Sequence, residues 1–356
     1  MVTLKEELVA KAWVIRSGRY GERDAWALQN NCSGGGWKAV PDLTACITRE
    51  DVAAVVAEAF KGKSDNTLAN FTGQLWALRG RIKPGDLIVM PMKTSKQIAL
   101  GRVTGPYEYR SDEADLQQRH VIPVDWQRDD LPRSEVKQDL LFILGSALTI
   151  FSPSKNDALT RLEHLLKCGT DPGQVAHPAD QLIGPGTDHG DEVDEPELAT
   201  DIEQVAYDQI VKKIAEEFTG HELATLVTAL LEVAGWRCDQ SPPGPDGGVD
   251  IIAGRGLLGL DDPLLVQVKS GAQVGAPVVT QLHGVMTTYG AQQGLLVAWG
   301  GLSKPGHVAL KNQLRVRVWE SSDVVDRVLD NYSQLDPDIR NRLPLKQVWM
   351  LSNTES

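Results

Sequence analysis

Gly244-Pro-Asp-Gly-Gly-Val-Asp250-Ile-Ile-Ala253 and, after a short polar and glycine-bearing break, Leu264-Leu-Val-Gln-Val-Lys269 decide how the C-terminal half folds. Both apolar runs are strand-like, and the Gly254 to Pro263 segment between them predicts a hairpin. Side chains alternate along a strand, so Gln267 and Lys269 leave one face while Val266 and Val268 enter the other. Asp250 closes a glycine-rich approach, where backbone can come close to whatever the carboxylate binds. If the strands pair, Asp250, Gln267 and Lys269 converge at one end of a sheet. A carboxylate and an amide oxygen suit Mg²⁺, and a lysine beside them can orient or deprotonate water and offset negative charge, which is what phosphodiester hydrolysis needs. The plainer alternative makes Asp250 a turn cap and Gln267 and Lys269 an exposed strand face. Asp246 is expected to belong to a Pro-Asp-Gly turn.

Outward from this centre, Asp201 to Phe218 and His221 to Ala234 have helical periodicity, the second stopping at Gly235. Beyond Lys269 the pattern predicts a helix from Ala276 to Tyr289, a strand from Gly294 to Trp299, a helix from Lys304 to Leu314 and a strand from Val316 to Trp319. The resulting αββαβαβ order predicts a mixed sheet flanked by helices, an α/β class. Ser270 is expected to cap a turn; Gln281 and His283 are placed on the following helix, with His283 left outside the site.

Leu226-Val-Thr-Ala-Leu-Leu-Glu-Val-Ala-Gly-Trp236, Gly247-Gly-Val-Asp-Ile-Ile252, Val266-Gln-Val-Lys269 and Gly294-Leu-Leu-Val297 together resemble the catalytic domain of Mrr-type restriction endonucleases, of the PD-(D/E)xK superfamily, from about Phe218 to Trp319. The resemblance implies a restriction-endonuclease-like fold and an Mg²⁺-dependent endodeoxyribonuclease. It carries the catalytic roles onto Asp250, Gln267 and Lys269, with Asp250 and Gln267 as metal ligands and glutamine replacing the usual second acid. On the preceding helix Glu222 is the candidate acid, and Ala224 stands where the family often has a second glutamate.

The chain has 356 residues and a formal net charge of −12, an unusual sign for a nucleic-acid binder until its location is considered. Between Cys168 and Val211 lie 11 acidic residues and no Lys or Arg, so the flanking regions are close to neutral and can each carry a basic face. The segment contains Gly184-Pro185-Gly186 and a run of acids from Asp188 to Glu197. It reads as a solvated linker over 171–198, dividing a unit at 1–170 from one at 199–356. The cysteines at 32, 46, 168 and 238 lack CxxC spacing, which argues against a zinc knuckle and a disulfide framework. With no signal-peptide core and no long apolar run, a soluble cytoplasmic protein without membrane contact is the expectation.

The first unit alternates short strands, at Ala12 to Arg16, Asp86 to Pro91, Ile98 to Val103 and His120 to Trp126, with helices at about 48–60, 66–78, 135–145 and 156–166. Thr48-Arg-Glu-Asp51 is a capping box. Gly73-Gln-Leu-Trp76, the Gly85-Asp86 turn and Ile98-Ala-Leu-Gly-Arg-Val103 resemble PUA-like and EVE-like barrels, from about Lys11 to Trp126. This implies an α+β PUA-like barrel that reads a modified base. Trp13, Trp37, Trp76 and Tyr107 are the candidate aromatic walls and Gln74 a candidate base-edge group. Arg79, Arg81, Lys93, Lys96 and Arg102 are candidate phosphate cations. Core packing is the competing reading for each aromatic.

The combined expectation is a modification-dependent restriction enzyme serving phage defence, acting on DNA with a modified base as a candidate target. Double-strand cleavage would need two protomers or two successive events, and a homodimer or higher oligomer is the expectation. Two rivals stay open: a structure-selective DNA-repair nuclease, and a non-catalytic DNA-binding protein.

Overall fold

The computed structural model describes residues 10–146, 148–174, 201–242 and 248–349. Most of the acidic segment, 175–200, and Asp246 with its Pro-Asp-Gly turn lie outside them. Contacts divide the chain into Met1–Asp208 and Gln209–Ser356.

The first unit contains β1 (Ala12–Ile15), α1 (Asp24–Gln29), β2 (Cys32–Gly34), α2 (Arg49–Ala59), α3 (Asp65–Trp76), β3 (Leu87–Pro91), β4 (Gln97–Val103), β5 (Glu108–Tyr109), β6 (His120–Pro132), α4 (Gln138–Leu144), β7 (Ile150–Phe151) and α5 (Ala158–Cys168). The seven strands form one sheet in the order β2-β6-β4-β3-β1-β7, with β5 added on β6. Its two ends, β2 and β7, do not pair, so among the described residues the sheet is open, where a barrel was expected. Strand β6 also runs to Pro132, past the expected end at Trp126, with register shifts against β4 around Leu100.

Both faces of this sheet are covered. Ala12, Val14, Leu87, Val89 and Leu100 pack with Leu140, Leu144 and Leu162 of α4 and α5 on one side. Trp13, Ile15 and Ile88 pack with Val52, Val56, Leu75 and Leu78 on the other. Two-sided burial explains why the strands read as continuous apolar runs. The Thr48 box opens α2 as expected, with Asp51 N–H on Thr48 Oγ1 and the Asp51 carboxylate accepting from Thr48 N–H.

Several buried charges are paired. Arg161, 1% exposed, binds Asp171 through Nε and Nη2 at 2.8 and 2.7 Å and also binds Asp139. Arg133 grips Asp208 at 2.7 and 2.6 Å, both side chains being buried. Asp201 accepts from Lys93 at 2.7 Å. Helix α6 (Ile202–Glu217), which carries Asp208, straddles the division between the units.

The second unit continues with α7 (His221–Val233), β8 (Arg237–Gln240), β9 (Ile251–Arg255), β10 (Asp261–Lys269), α8 (Ala276–Tyr289), β11 (Gln293–Ala298), α9 (Lys304–Lys311), β12 (Val316–Glu320), α10 (Ser321–Asn331) and α11 (Pro337–Arg342). Its mixed sheet has the order β12-β11-β10-β9-β8. β10, β11 and β12 are mutually parallel, while β9 is antiparallel to β10 as the hairpin reading predicted. Strand β8, antiparallel to β9, was not expected. Leu265, Val279, Leu282, Met286, Leu296 and Ala298 join α8 to one sheet face.

Candidate active site

β9 and β10 place the three central residues. The pair Ile251 and Val266 fixes the register, and one step further puts Asp250 opposite Gln267, where side chains share a face. The backbone of Asp250 donates to Val266 O at 2.9 Å. The Asp250 carboxylate accepts from Val268 N–H at 2.7 Å, so it is tied to the strand that carries the other two residues. β10 runs parallel to β11, with Lys269 beside Ala298, and Lys269 O accepts from Trp299 N–H at 2.9 Å. Two central strands therefore hold the group in place.

A cleft of about 530 Å³ opens here. Asp250 and Lys269 line it together with Gly220, His221, Ser270 and the loop from Gly271 to Gly275. Ser270, expected to cap a turn, instead accepts from Gly220 N–H at 3.1 Å and ties the end of β10 to the start of α7.

Gln267 has a different environment. Its side chain is fully buried, and among the described residues neither Oε1 nor Nε2 has a hydrogen-bond partner. Leaving an amide dry and unsatisfied costs on the order of 1–3 kcal/mol, so the chain keeps here an acceptor able to take a ligand. Gly248, at φ +93°, brings the backbone close to it: a Cβ there would sit 3.2 Å from Gln267 Nε2 and 2.9 Å from Gln281 Nε2. Only glycine fits that combination of angle and space. Gln281, placed by the sequence on the following helix, thus comes close to Gly248.

Among the described residues no three His, Cys, Asp or Glu side chains cluster as a metal site. The donor set is instead one carboxylate and one orphaned amide oxygen. Those hard oxygen donors suit a cation such as Mg²⁺, which keeps several of its waters and takes only one or two carboxylates.

Glu222 does not line the cleft. Its half-exposed carboxylate pairs with Arg342 of α11 at 2.7 Å. Consecutive helical residues point about 100° apart, and here the turn of α7 gives the cleft His221 and sends Glu222 toward α11. No motif singled out His221; its only sequence signal was its place at the start of the helix before the glycine-rich segment. His283 is exposed on α8 and does not line the cleft.

In the first unit the five candidate base-binding residues have separate structural partners. Trp13 is buried and donates from Nε1 to Asp86 at 3.0 Å. Asp86 also accepts from the backbone of Lys11 and Lys83, which accounts for the Gly85-Asp86 turn. Gln74 Oε1 accepts from Thr149 and Ile150 N–H, both at 3.0 Å, and so holds β7. Trp76 covers Gly80, where a Cβ would lie 2.5 Å from its ring. The buried Tyr107 hydroxyl bonds His120 Nδ1 at 2.8 Å; burial raises the tyrosine pKa and lowers that of the histidine. Trp37 packs edge-on against Phe71 and Phe60, at 5.1 and 6.5 Å, and among the described residues its buried Nε1 has no partner. The candidate cations are engaged too: Arg79 with Leu43 and Thr44 carbonyls, Arg102 with Glu163, Lys93 with Asp201, and Arg81 and Lys96 over the Trp13 and Tyr207 rings.

Residues 13–141 match a family described as a domain of unknown function, DUF8426, which leaves the PUA-like or EVE-like resemblance of the first unit without further support. No curated protein matches the chain. Among solved structures, the DNA modification-dependent restriction endonuclease AspBHI is 14% identical, with 78% of this chain and 74% of that one covered and a TM-score of 0.32. A protein of unknown function, AF1548, is also 14% identical, with 36% of this chain and 76% of that one covered and a TM-score of 0.26. Neither TM-score reaches the level at which a shared fold can be argued. No helix among the described residues is long and apolar enough to cross a membrane. Residues 215–328, the stretch that contains Asp250, Gln267 and Lys269, match the family Mrr_cat, described as restriction endonuclease.

Proposed function

We propose that the second unit hydrolyses DNA phosphodiester bonds in the cleft that Asp250 and Lys269 share. The observation that carries the reading is this shared lining of about 530 Å³, with the buried amide of Gln267 opposite Asp250 in the strand register. The Asp250 carboxylate and Gln267 Oε1 are the groups that would hold Mg²⁺, which when bound polarises a phosphate oxygen and acidifies a water. Lys269 forms no ion pair among the described residues. Its ammonium is therefore available to orient the attacking water and to offset charge that builds on the phosphorane oxygens. Val268 N–H keeps the Asp250 carboxylate in a fixed rotamer, so little reorganisation is needed when substrate arrives.

The first unit is proposed to select the DNA, with a modified base as target and defence against foreign DNA as the role. Support comes from the sequence resemblance, and among the described residues the buried Nε1 of Trp37 has no hydrogen-bond partner. One cleft cuts one strand, so double-strand cleavage would draw on a second copy of the chain.

Incubating plasmid with the full chain and Mg²⁺ or Mn²⁺ tests the nuclease reading: nicked or linear product is expected, and intact supercoiled DNA under all conditions would overturn it. A panel of modified, unmodified and branched duplexes separates the restriction reading from a structure-selective repair nuclease.

A further inference from the structure

We propose that His221 binds the DNA substrate in this cleft, donating a hydrogen bond from Nδ1 to a non-bridging phosphate oxygen, and that Gln240 is its positioning residue. The proposal deepens the nuclease reading and rests on it. His221 is the first residue of α7 and lines the cleft with Asp250 and Lys269. The Gly220 N–H to Ser270 Oγ bond of 3.1 Å fixes the two chain segments to each other, with His221 next to one end of it and Lys269 next to the other. Two groups able to donate to phosphate thus line one cleft on segments joined by that bond.

The hydrogen-bonding of the imidazole assigns its proton. Gln240, on the edge strand β8, places its amide nitrogen 2.9 Å from His221 Nε2 and 3.1 Å from Thr225 Oγ1, while Thr228 Oγ1 donates to its Oε1 at 3.4 Å. Both amide hydrogens then have acceptors, and one acceptor is the ring nitrogen Nε2. A neutral imidazole that accepts at Nε2 carries its hydrogen on Nδ1. Among the described residues no hydrogen bond reaches Nδ1. A neutral N–H donor beside the lysine suits a phosphate, because it adds a directed hydrogen bond without a second positive charge to repel Lys269.

This geometry distinguishes the two amide replacements. The nitrogen of asparagine can overlay Nδ1, whereas that of glutamine reaches the position of Nε2. Full-length wild type, His221→Ala, His221→Asn, His221→Gln and Gln240→Ala are to be titrated against a fluorescent 20-base-pair duplex without metal at low salt, and assayed for cleavage with Mg²⁺. His221→Ala is expected to weaken binding about tenfold, the loss of one hydrogen bond to a charged acceptor. His221→Asn should recover most of it and His221→Gln should not; Gln240→Ala should weaken binding by a smaller factor. Thermal melts confirm that each variant is folded. Wild-type binding by His221→Ala, or equal recovery by the Asn and Gln variants, would overturn the proposal. A wild type that binds and never cleaves would overturn the nuclease reading while leaving the phosphate contact standing, and a wild type that does not bind duplex would overturn both.

Discussion

Replacing Asp250 separates chemistry from folding, because its carboxylate does two things. One oxygen accepts from the buried backbone N–H of Val268 at 2.7 Å, a bond that helps fix the end of β10. The negative charge is what the proposed metal would require. Asp250→Ala removes both. A buried N–H left without an acceptor costs about 1–3 kcal/mol, and for a unit of this size each kcal/mol lowers Tm by roughly 2–4 °C. Asp250→Ala should therefore melt about 2–12 °C below wild type by those same figures. Asp250→Asn keeps an oxygen in place for Val268 and should melt within about 2 °C of wild type, a change of less than about 0.5 kcal/mol for a retained hydrogen bond. Yet both variants should lose cleavage by a factor on the order of 10²–10³ or more, the usual effect of deleting one electrostatic stabiliser. Differential scanning fluorimetry and a timed plasmid-nicking assay with Mg²⁺ read the two effects independently. An Asn variant that cleaves at more than about a tenth of the wild-type rate would refute a charge-dependent role, since that lies far above the expected loss. An Ala variant as stable as wild type would refute the structural role of the carboxylate.

Lys269→Ala should cut cleavage on the order of 10²–10³-fold with little change in Tm, because the ammonium makes no ion pair among the described residues; a timed digestion with more than about a hundredth of the rate remaining would count against it. Asp208→Ala leaves the buried Arg133 guanidinium without its carboxylate and should cost about 3–5 kcal/mol in urea denaturation of the full chain. Stability should also fall in acid. Arg161 hydrogen bonding holds Asp139 below its ordinary pKa, and although burial would raise Asp171 and Asp201, their bonds to Arg161 and Lys93 lower both. Carboxylates depressed in the folded state stabilise it above the unfolded value of about 3.9 and lose that contribution as pH drops through the folded values, so melts from pH 6 to pH 2.5 should show the loss beginning near pH 4 and not between 6 and 5. Gly248→Ala should lower both Tm and cleavage, because φ +93° and the 3.2 Å approach to Gln267 Nε2 exclude a methyl group; unchanged melting and nicking would show that the loop adapts.

Much of the second unit was legible in its sequence because local rules and tertiary packing agree there. The Gly254 to Pro263 break and the flanking apolar runs gave a hairpin, and Gln267 and Lys269, two apart between valines, shared a face by strand geometry alone. In the first unit, Thr48 and Asp51 announced α2, since a capping box satisfies backbone donors within four residues. Strand β8 was hidden because Arg237-Cys-Asp-Gln240 has no apolar alternation and is held by backbone pairing with β9. The open edges of the first sheet were hidden as well, since closure depends on whether β2 meets β7, strands more than a hundred residues apart.

The site divides in the same way. Residue type and spacing nominated Asp250, Gln267 and Lys269, because the chemistry of a carboxylate, an amide and an amine is a local property. Only the tertiary structure decided which face of α7 turns to the cleft, giving it His221 and pairing Glu222 with Arg342. The same holds for Trp13, Gln74 and Tyr107, whose partners Asp86, Ile150 and His120 come from other strands and turns. An aromatic ring has the same apolar area whether it walls a pocket or fills a core, and what settles its fate is the set of neighbours that the folded chain brings to it.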